Sequence, residues 1–166
     1  MNTYLYLAEY DKFLQSLPSN DSGYVLFYRG LGEYYENHPT QAAQAFDRAY
    51  TLEPSLLPAR IGKALSDSIA SRHAPALEFL QQTEDEMEER GVSDAESMLK
   101  IAQAYAVLGN IPAALHALSH TIEGGFFCYP CFVTDPLLAN IRNESEFQRL
   151  MEEARLRHEQ FKSRFF

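Results

Sequence analysis

The chain has 166 residues, 46% of them hydrophobic and 13% aromatic, which is enough apolar material for one folded domain with a continuous core. The net charge of −9 argues against nucleic acid, whose phosphates need clustered Lys and Arg to displace counterions. No apolar run approaches the roughly 20 residues of a membrane helix, and the N-terminus lacks the basic start and apolar stretch of a secretory signal.

The two cysteines, Cys128 and Cys131, are too few for a disulfide scaffold, so a cytoplasmic setting is expected. The charge is unevenly placed. Residues 142–166 hold six basic groups (Arg142, Arg149, Arg155, Arg157, Lys162, Arg164) and five acids, a net of +1, which leaves −10 for the first 141 residues. A body of that sign favours basic or apolar partners, or serves only to keep the surface solvated.

Residues 1–22 can be read in two ways. One is a plain helix across 4–16. The other is a turn at Ala8-Glu9-Tyr10, with Phe13 and Leu17 starting the inner stripe of a second helix.

From residue 23 onward one spacing recurs. Gly30 is followed by Ala42 after 12 residues, Phe46 after 4 more, Ala49 after 3 and Pro54 after 5. The stretch 57–94 repeats it with Ala64, Ala76, Leu80 and Thr83, and 95–126 with Ala102, Ala114, Leu118, Thr121 and Phe126. Small residues on two successive helices let their backbones approach, and the 4-and-3 intervals continue one buried face of the second helix. Turn signals fall between: Asn37-His38-Pro39-Thr40 and Gly109-Asn110-Ile111-Pro112. Pro54 cannot continue a helix and ends the first unit.

This pattern resembles the tetratricopeptide (TPR) repeat, a helix–turn–helix unit of about 34 residues. The resemblance is best over 95–126, where Ala102, Tyr105, Gly109, Asn110, Ala114, Leu118 and Thr121 match. Repeat 23–56 departs with Glu33 where an aromatic is usual, and repeat 57–94 has Asp67 there and no terminal proline. The family implies an all-α superhelix, with Ala8-Glu9-Tyr10 as the turn of a partial repeat over 1–22 and a chain cut from a longer array. Residues 127–166 would then be a loop and a capping helix. A terminal helix must cover the apolar face of the last repeat. Phe147, Leu150, Met151, Ala154, His158, Phe161 and Phe165 form its stripe, and Asn143 or Ser145 can cap its start.

The stretch Gly124-Gly125-Phe126-Phe127-Cys128-Tyr129-Pro130, with Asp135-Pro136-Leu137-Leu138, also resembles the C-terminal ends of TPR arrays in large bacterial signalling and transcriptional regulators. That likeness implies a sensing or scaffolding segment, not an output domain.

TPR proteins hold peptides or partner proteins in a concave groove lined by the first helix of each repeat. Carried onto this sequence, the groove has Tyr24, Phe27, Leu31, Tyr34, Tyr35, Ile61, Leu65, Ile69, Leu99, Gln103, Ala106 and Val107. Such a groove is apolar and aromatic, and it lacks the Lys and Arg of a carboxylate clamp. The expected partner is therefore a protein or peptide with an apolar anchor, with no cofactor, no membrane and no nucleic acid. The chain's own tail or a second copy could fill the groove instead.

Chemistry has weaker support. His116 and His120 with Cys128 and Cys131 offer four nitrogen and sulfur ligands suited to zinc. Cys128-Tyr129-Pro130-Cys131 has redox-pair spacing without the βαβ setting such pairs favour. Glu84 to Glu89 read as a solvated charge run, and no nucleophile motif or phosphate loop is present, so catalysis is not expected.

Overall fold

A computed structural model describes residues 3–91 and 94–165. Among them the regular structure is entirely helical. The elements are α1 (Thr3–Tyr6), α2 (Tyr10–Ser16), α3 (Gly23–Tyr35), α4 (Pro39–Leu52), α5 (Leu57–Ile69), α6 (His73–Glu89), α7 (Ala95–Val107), α8 (Ile111–Glu123), α9 (Tyr129–Thr134), a 3-10 segment (Pro136–Ile141) and α10 (Ser145–Phe165). No described helix is long and apolar enough to cross a membrane. The all-α fold anticipated from the repeat spacing is the fold that forms. The chain divides into two compact units, with the division after Glu86.

One backbone device recurs in both units. Ala8, Asn37, Ser71 and Gly109 have φ of 56°, 61°, 60° and 77°, each just after the first helix of a hairpin. In each case the following amide bonds back to the carbonyl five residues earlier: Glu9 to Tyr4 at 2.9 Å, His38 to Glu33 at 2.8 Å, Arg72 to Asp67 at 2.8 Å and Asn110 to Tyr105 at 3.0 Å. This is the Schellman closure, which satisfies carbonyls that a helix end leaves open and turns the chain into the next helix. At Ala8 it splits residues 4–16 into two helices, so the single-helix alternative is not what forms.

In the first unit α4 packs between α3 and α5, and α3 also touches α5 and α2. Phe46 of α4 is the wedge, fully buried. A Cβ on Gly30 would lie 2.5 Å from its ring, and one on Gly62 would lie 2.9 Å away. Both glycines are there because Phe46 rests directly on the backbones of α3 and α5. The 12-4-3 positions are buried without exception: Ala42, Phe46, Ala49, Ala64, Ala76 and Leu80 show no exposure, and Thr83 only 2%. Thr83 survives burial because its hydroxyl donates to the Phe79 carbonyl at 2.7 Å.

Asp67 explains why the middle repeat departs from the pattern. It is buried near the end of α5, where it accepts from Lys63 Nζ at 2.6 Å and Arg72 Nε at 3.1 Å. An aromatic there would have removed this acceptor from both cations and left Lys63 only Asp47, 3.5 Å away. The acidic run of α6 is not wholly solvated. Glu84 is buried and Glu86 accepts from Arg60 at 3.2 Å, while Asp85, Glu88 and Glu89 are exposed.

In the second unit α7 and α8 form a hairpin with Ala102, Tyr105, Ala114 and Leu118 at its centre, all fully buried. Thr121 is buried too and donates to the Ala117 carbonyl at 2.9 Å. α10 packs on α8 and α9. Its stripe is buried at Phe147, Leu150, Met151 and Ala154, then emerges, so that Phe161 and Phe165 are 45% and 59% exposed. Arg157 of α10 donates to the Ile122 carbonyl at 2.8 Å, capping the C-terminus of α8. The start of α10 differs from expectation. Glu144, not Asn143 or Ser145, is the half-in residue whose carbonyl accepts the first helical bond, from Gln148 at 3.1 Å.

Candidate functional site

The first helix of each hairpin is expected to line a groove, either open to a partner or filled by the chain itself, and the structure places those residues unequally. In the first unit, Phe27, Leu31, Ile61 and Leu65 are between 0 and 2% exposed. They are core, because Gly30 and Gly62 draw α3, α4 and α5 so close that the face between them closes. Phe27 packs at 6.0 Å from the Phe46 ring and at 5.2 Å, edge-on, from Tyr28. None of these four reaches a partner without unfolding the unit.

Three tyrosines on α3 stay accessible. Tyr24 is 41% exposed and lies tilted against Tyr28 at 4.8 Å. Tyr34 is half-buried, and loss of hydration pushes its phenol above the ordinary value. Tyr35 is also half-buried but committed, since its ring stacks on Tyr10 at 4.6 Å and 6°. Ser22 fixes the start of α3 by accepting from the Val25 amide at 3.2 Å, and Glu53 accepts from the Gly23 amide at 2.8 Å. Tyr24 is thereby held on a well-anchored first turn.

The same unit carries an open cleft of about 410 Å³ along α3 and α4, missed by the sequence reading. Asp21, Arg29, Glu33, Gln41, Gln44 and Arg48 line it, over a floor of Leu26 and Ala45. Arg48 pairs with Asp21 at 2.5 Å and His38 with Glu33 at 3.0 Å. Polar residues at helical spacing read as a solvated face, and only the hairpin geometry makes them converge.

In the second unit the groove side is filled by the chain itself. The 3-10 segment lies along α7 with Leu137, Leu138 and Ile141 buried, and it covers Leu99 and Gln103, which are 1% and 2% exposed. Gln103 Nε2 donates to Asp135, and Asn140 Nδ2 donates to the Ala106 carbonyl at 2.9 Å. Asp135 in turn accepts from the Leu137 amide at 2.9 Å, and its carbonyl accepts from Arg142 at 2.8 Å. Leu99 and Gln103 thus sit where helical spacing put them, against an occupied face and not an open one.

A cation that the sequence reading left out is also here. Lys100 is 4% exposed, and burial pushes its ammonium below the ordinary value against the opposing pull of Asp135 and Glu96. The signal for it was available, since Lys100 is one helical turn before Gln103 and one after Glu96.

His116 and His120 lie together on the exposed side of α8, with rings 4.5 Å apart and their Nε2 atoms at 3.3 Å. Cys128 and Cys131 are joined in a disulfide. Among the described residues no group of three or more His, Cys, Asp or Glu could hold a metal ion. The four-ligand zinc arrangement is therefore not formed, because the two sulfurs are bonded to each other.

No family model matches the sequence, and neither curated proteins nor solved structures gave a match.

Proposed function

We propose that this chain is a protein-interaction module of the TPR type, a scaffold that holds an apolar segment of a partner and performs no reaction of its own. The observation that carries the reading is the internal one on α7. There the first helix of a hairpin already holds a short extended-to-3-10 segment, through two leucines, an isoleucine and one carboxylate. That is how a helical face of this composition recognises a chain: apolar anchors supply the area and one or two polar contacts set the register.

In the first unit the accessible counterpart is Tyr24 on α3; the cleft with Arg29 lies on the other side of the same helix. A tyrosine offers contact area and a hydrogen bond at low entropic cost. The recurrent hairpin closure and the buried 12-4-3 positions support the repeat reading. A place in a bacterial regulator rests on sequence resemblance alone.

Tag-free protein screened against a diverse peptide library tests this. Peptides sharing a Leu, Ile or aromatic anchor should bind, and Tyr24→Ala should weaken them at least tenfold without loss of helicity. Phe27→Ala is unsuitable for the purpose, since removing that core ring costs about 3–5 kcal/mol. Hits indifferent to both Tyr24→Ala and Arg29→Ala would mean that neither side of α3 binds, and the absence of hits would leave a spacer.

A further inference from the structure

We propose that His116 and His120 form a two-imidazole site for a divalent transition-metal ion of the zinc class. α8 buries Ala114, Ala117, Leu118 and Thr121 on one face, which turns His116 and His120 outward on the neighbouring one. Four residues apart on a helix, the two rings stand one above the other. Their Nε2 atoms are 3.3 Å apart. A tetrahedral zinc ion with nitrogens at 2.0–2.1 Å spans about 3.3–3.4 Å between two of them. The pair is already set at the width that ion requires.

Glu123 lies one turn later, its Oε1 accepting from the Ser119 hydroxyl at 2.9 Å and its Oε2 3.9 Å from the Nδ1 of His120, near enough for its charge to act but not for a direct hydrogen bond. A carboxylate on that side favours the tautomer with the proton on Nδ1, which leaves the Nε2 lone pair for the metal. The proton balance closes without a change in count. In the free pair one Nε2–H points at the other Nε2. On binding, that ring carries its proton on Nδ1 and both Nε2 lone pairs face the ion. Water takes the remaining coordination positions, since both rings are exposed.

On α10, Arg157 donates to the Ile122 carbonyl at 2.8 Å, and Arg149 lies within electrostatic reach of Glu123. Arg149 is held by Glu146 at 2.7 Å and Glu153 at 3.6 Å. Two protein ligands give a modest affinity, and the cysteines take no part because they are bonded to each other.

Zinc chloride titrated calorimetrically into tag-free, oxidised protein, with magnesium chloride as control, tests the site. One zinc per chain should bind saturably and magnesium should not. His116→Ala and His120→Ala should each weaken zinc at least tenfold, Glu123→Gln several-fold, and Cys128→Ser/Cys131→Ser should bind as the parent does. The histidines are exposed, so circular dichroism of their variants should match the parent. The proposal is overturned if either histidine variant binds like the parent, if the cysteine variant loses the ion, or if no saturable uptake occurs up to millimolar zinc.

Discussion

A lysine ammonium that leaves water for the side of a packed helix loses most of its hydration, and Lys100 is in that position beneath the 3-10 segment. Burial holds its pKa below 10.5 in the folded chain. The unfolded chain therefore binds the proton more tightly, and stability should rise with pH between the folded value and about 10.5. Lys100→Met keeps the stem and removes the charge. It should stabilise the protein by about 1–2 kcal/mol at neutral pH, with the advantage shrinking toward pH 10.5. Urea midpoints at several pH values read this directly, and a destabilised variant would show that the charge is well compensated by Asp135 and Glu96.

Asp67 has the opposite sign. Burial raises its pKa, but the bonds from Lys63 and Arg72 outweigh that and leave it below the ordinary carboxylate value. Its contribution is present above about pH 4 and is lost as the pH falls through the folded value. Asp67→Asn should cost about 1–2 kcal/mol at pH 7, and the difference should close in acid. These two residues mark the limit of what was legible. A lysine and an aspartate on helices read as solvated; they are not, because the fold buries them, and only for Asp67 are the partners close in sequence. For Asp67 they are Lys63 on its own helix and Arg72 beyond the turn. For Lys100 the cover comes from a segment about 35 residues downstream.

At the scale of elements, the hairpin closures separate into those the sequence announced and those it hid. Gly109-Asn110 and Asn37-His38-Pro39 use residues that accept a left-handed backbone, and both were visible as turns. Ser71-Arg72 carried no such signal, since serine has no special tolerance for φ near 60°. Ala8 was legible only through the likeness of its tripeptide to a repeat turn. The buried quartets were fully legible because a 12-4-3 interval with small residues has few other uses. Whether the groove is open or filled by the tail stayed undecided in the sequence, because helical spacing gives the direction of a side chain and not what lies over it.

Ala8 and Ser71 are left-handed at a cost that glycine would not incur. Ala8→Gly and Ser71→Gly should each stabilise by about 0.5–1 kcal/mol, and Gly109→Ala should destabilise by a similar amount. Thermal unfolding of the three variants separates this from a generic loss of chain stiffness, which would make both glycine substitutions unfavourable.

The charge of the whole molecule bears on which kind of partner the first unit takes. A net −9 produces a field that draws basic ligands, and such binding weakens steeply as salt screens it. The cleft beside α3 does not concentrate that field. Arg29 and Arg48 face Asp21 and Glu33, two charges of each sign, with one pair already closed at 2.5 Å. An apolar anchor on Tyr24 gains its free energy from removing surface from water, which added salt does not oppose. Peptides that bind the first unit should therefore change in affinity by less than about threefold between 50 and 500 mM salt. A loss of tenfold or more over that range, measured by calorimetry or fluorescence anisotropy, would transfer the recognition from the tyrosine to the acidic surface. The partner would then be a basic segment, and Arg29→Ala would be expected to tighten it.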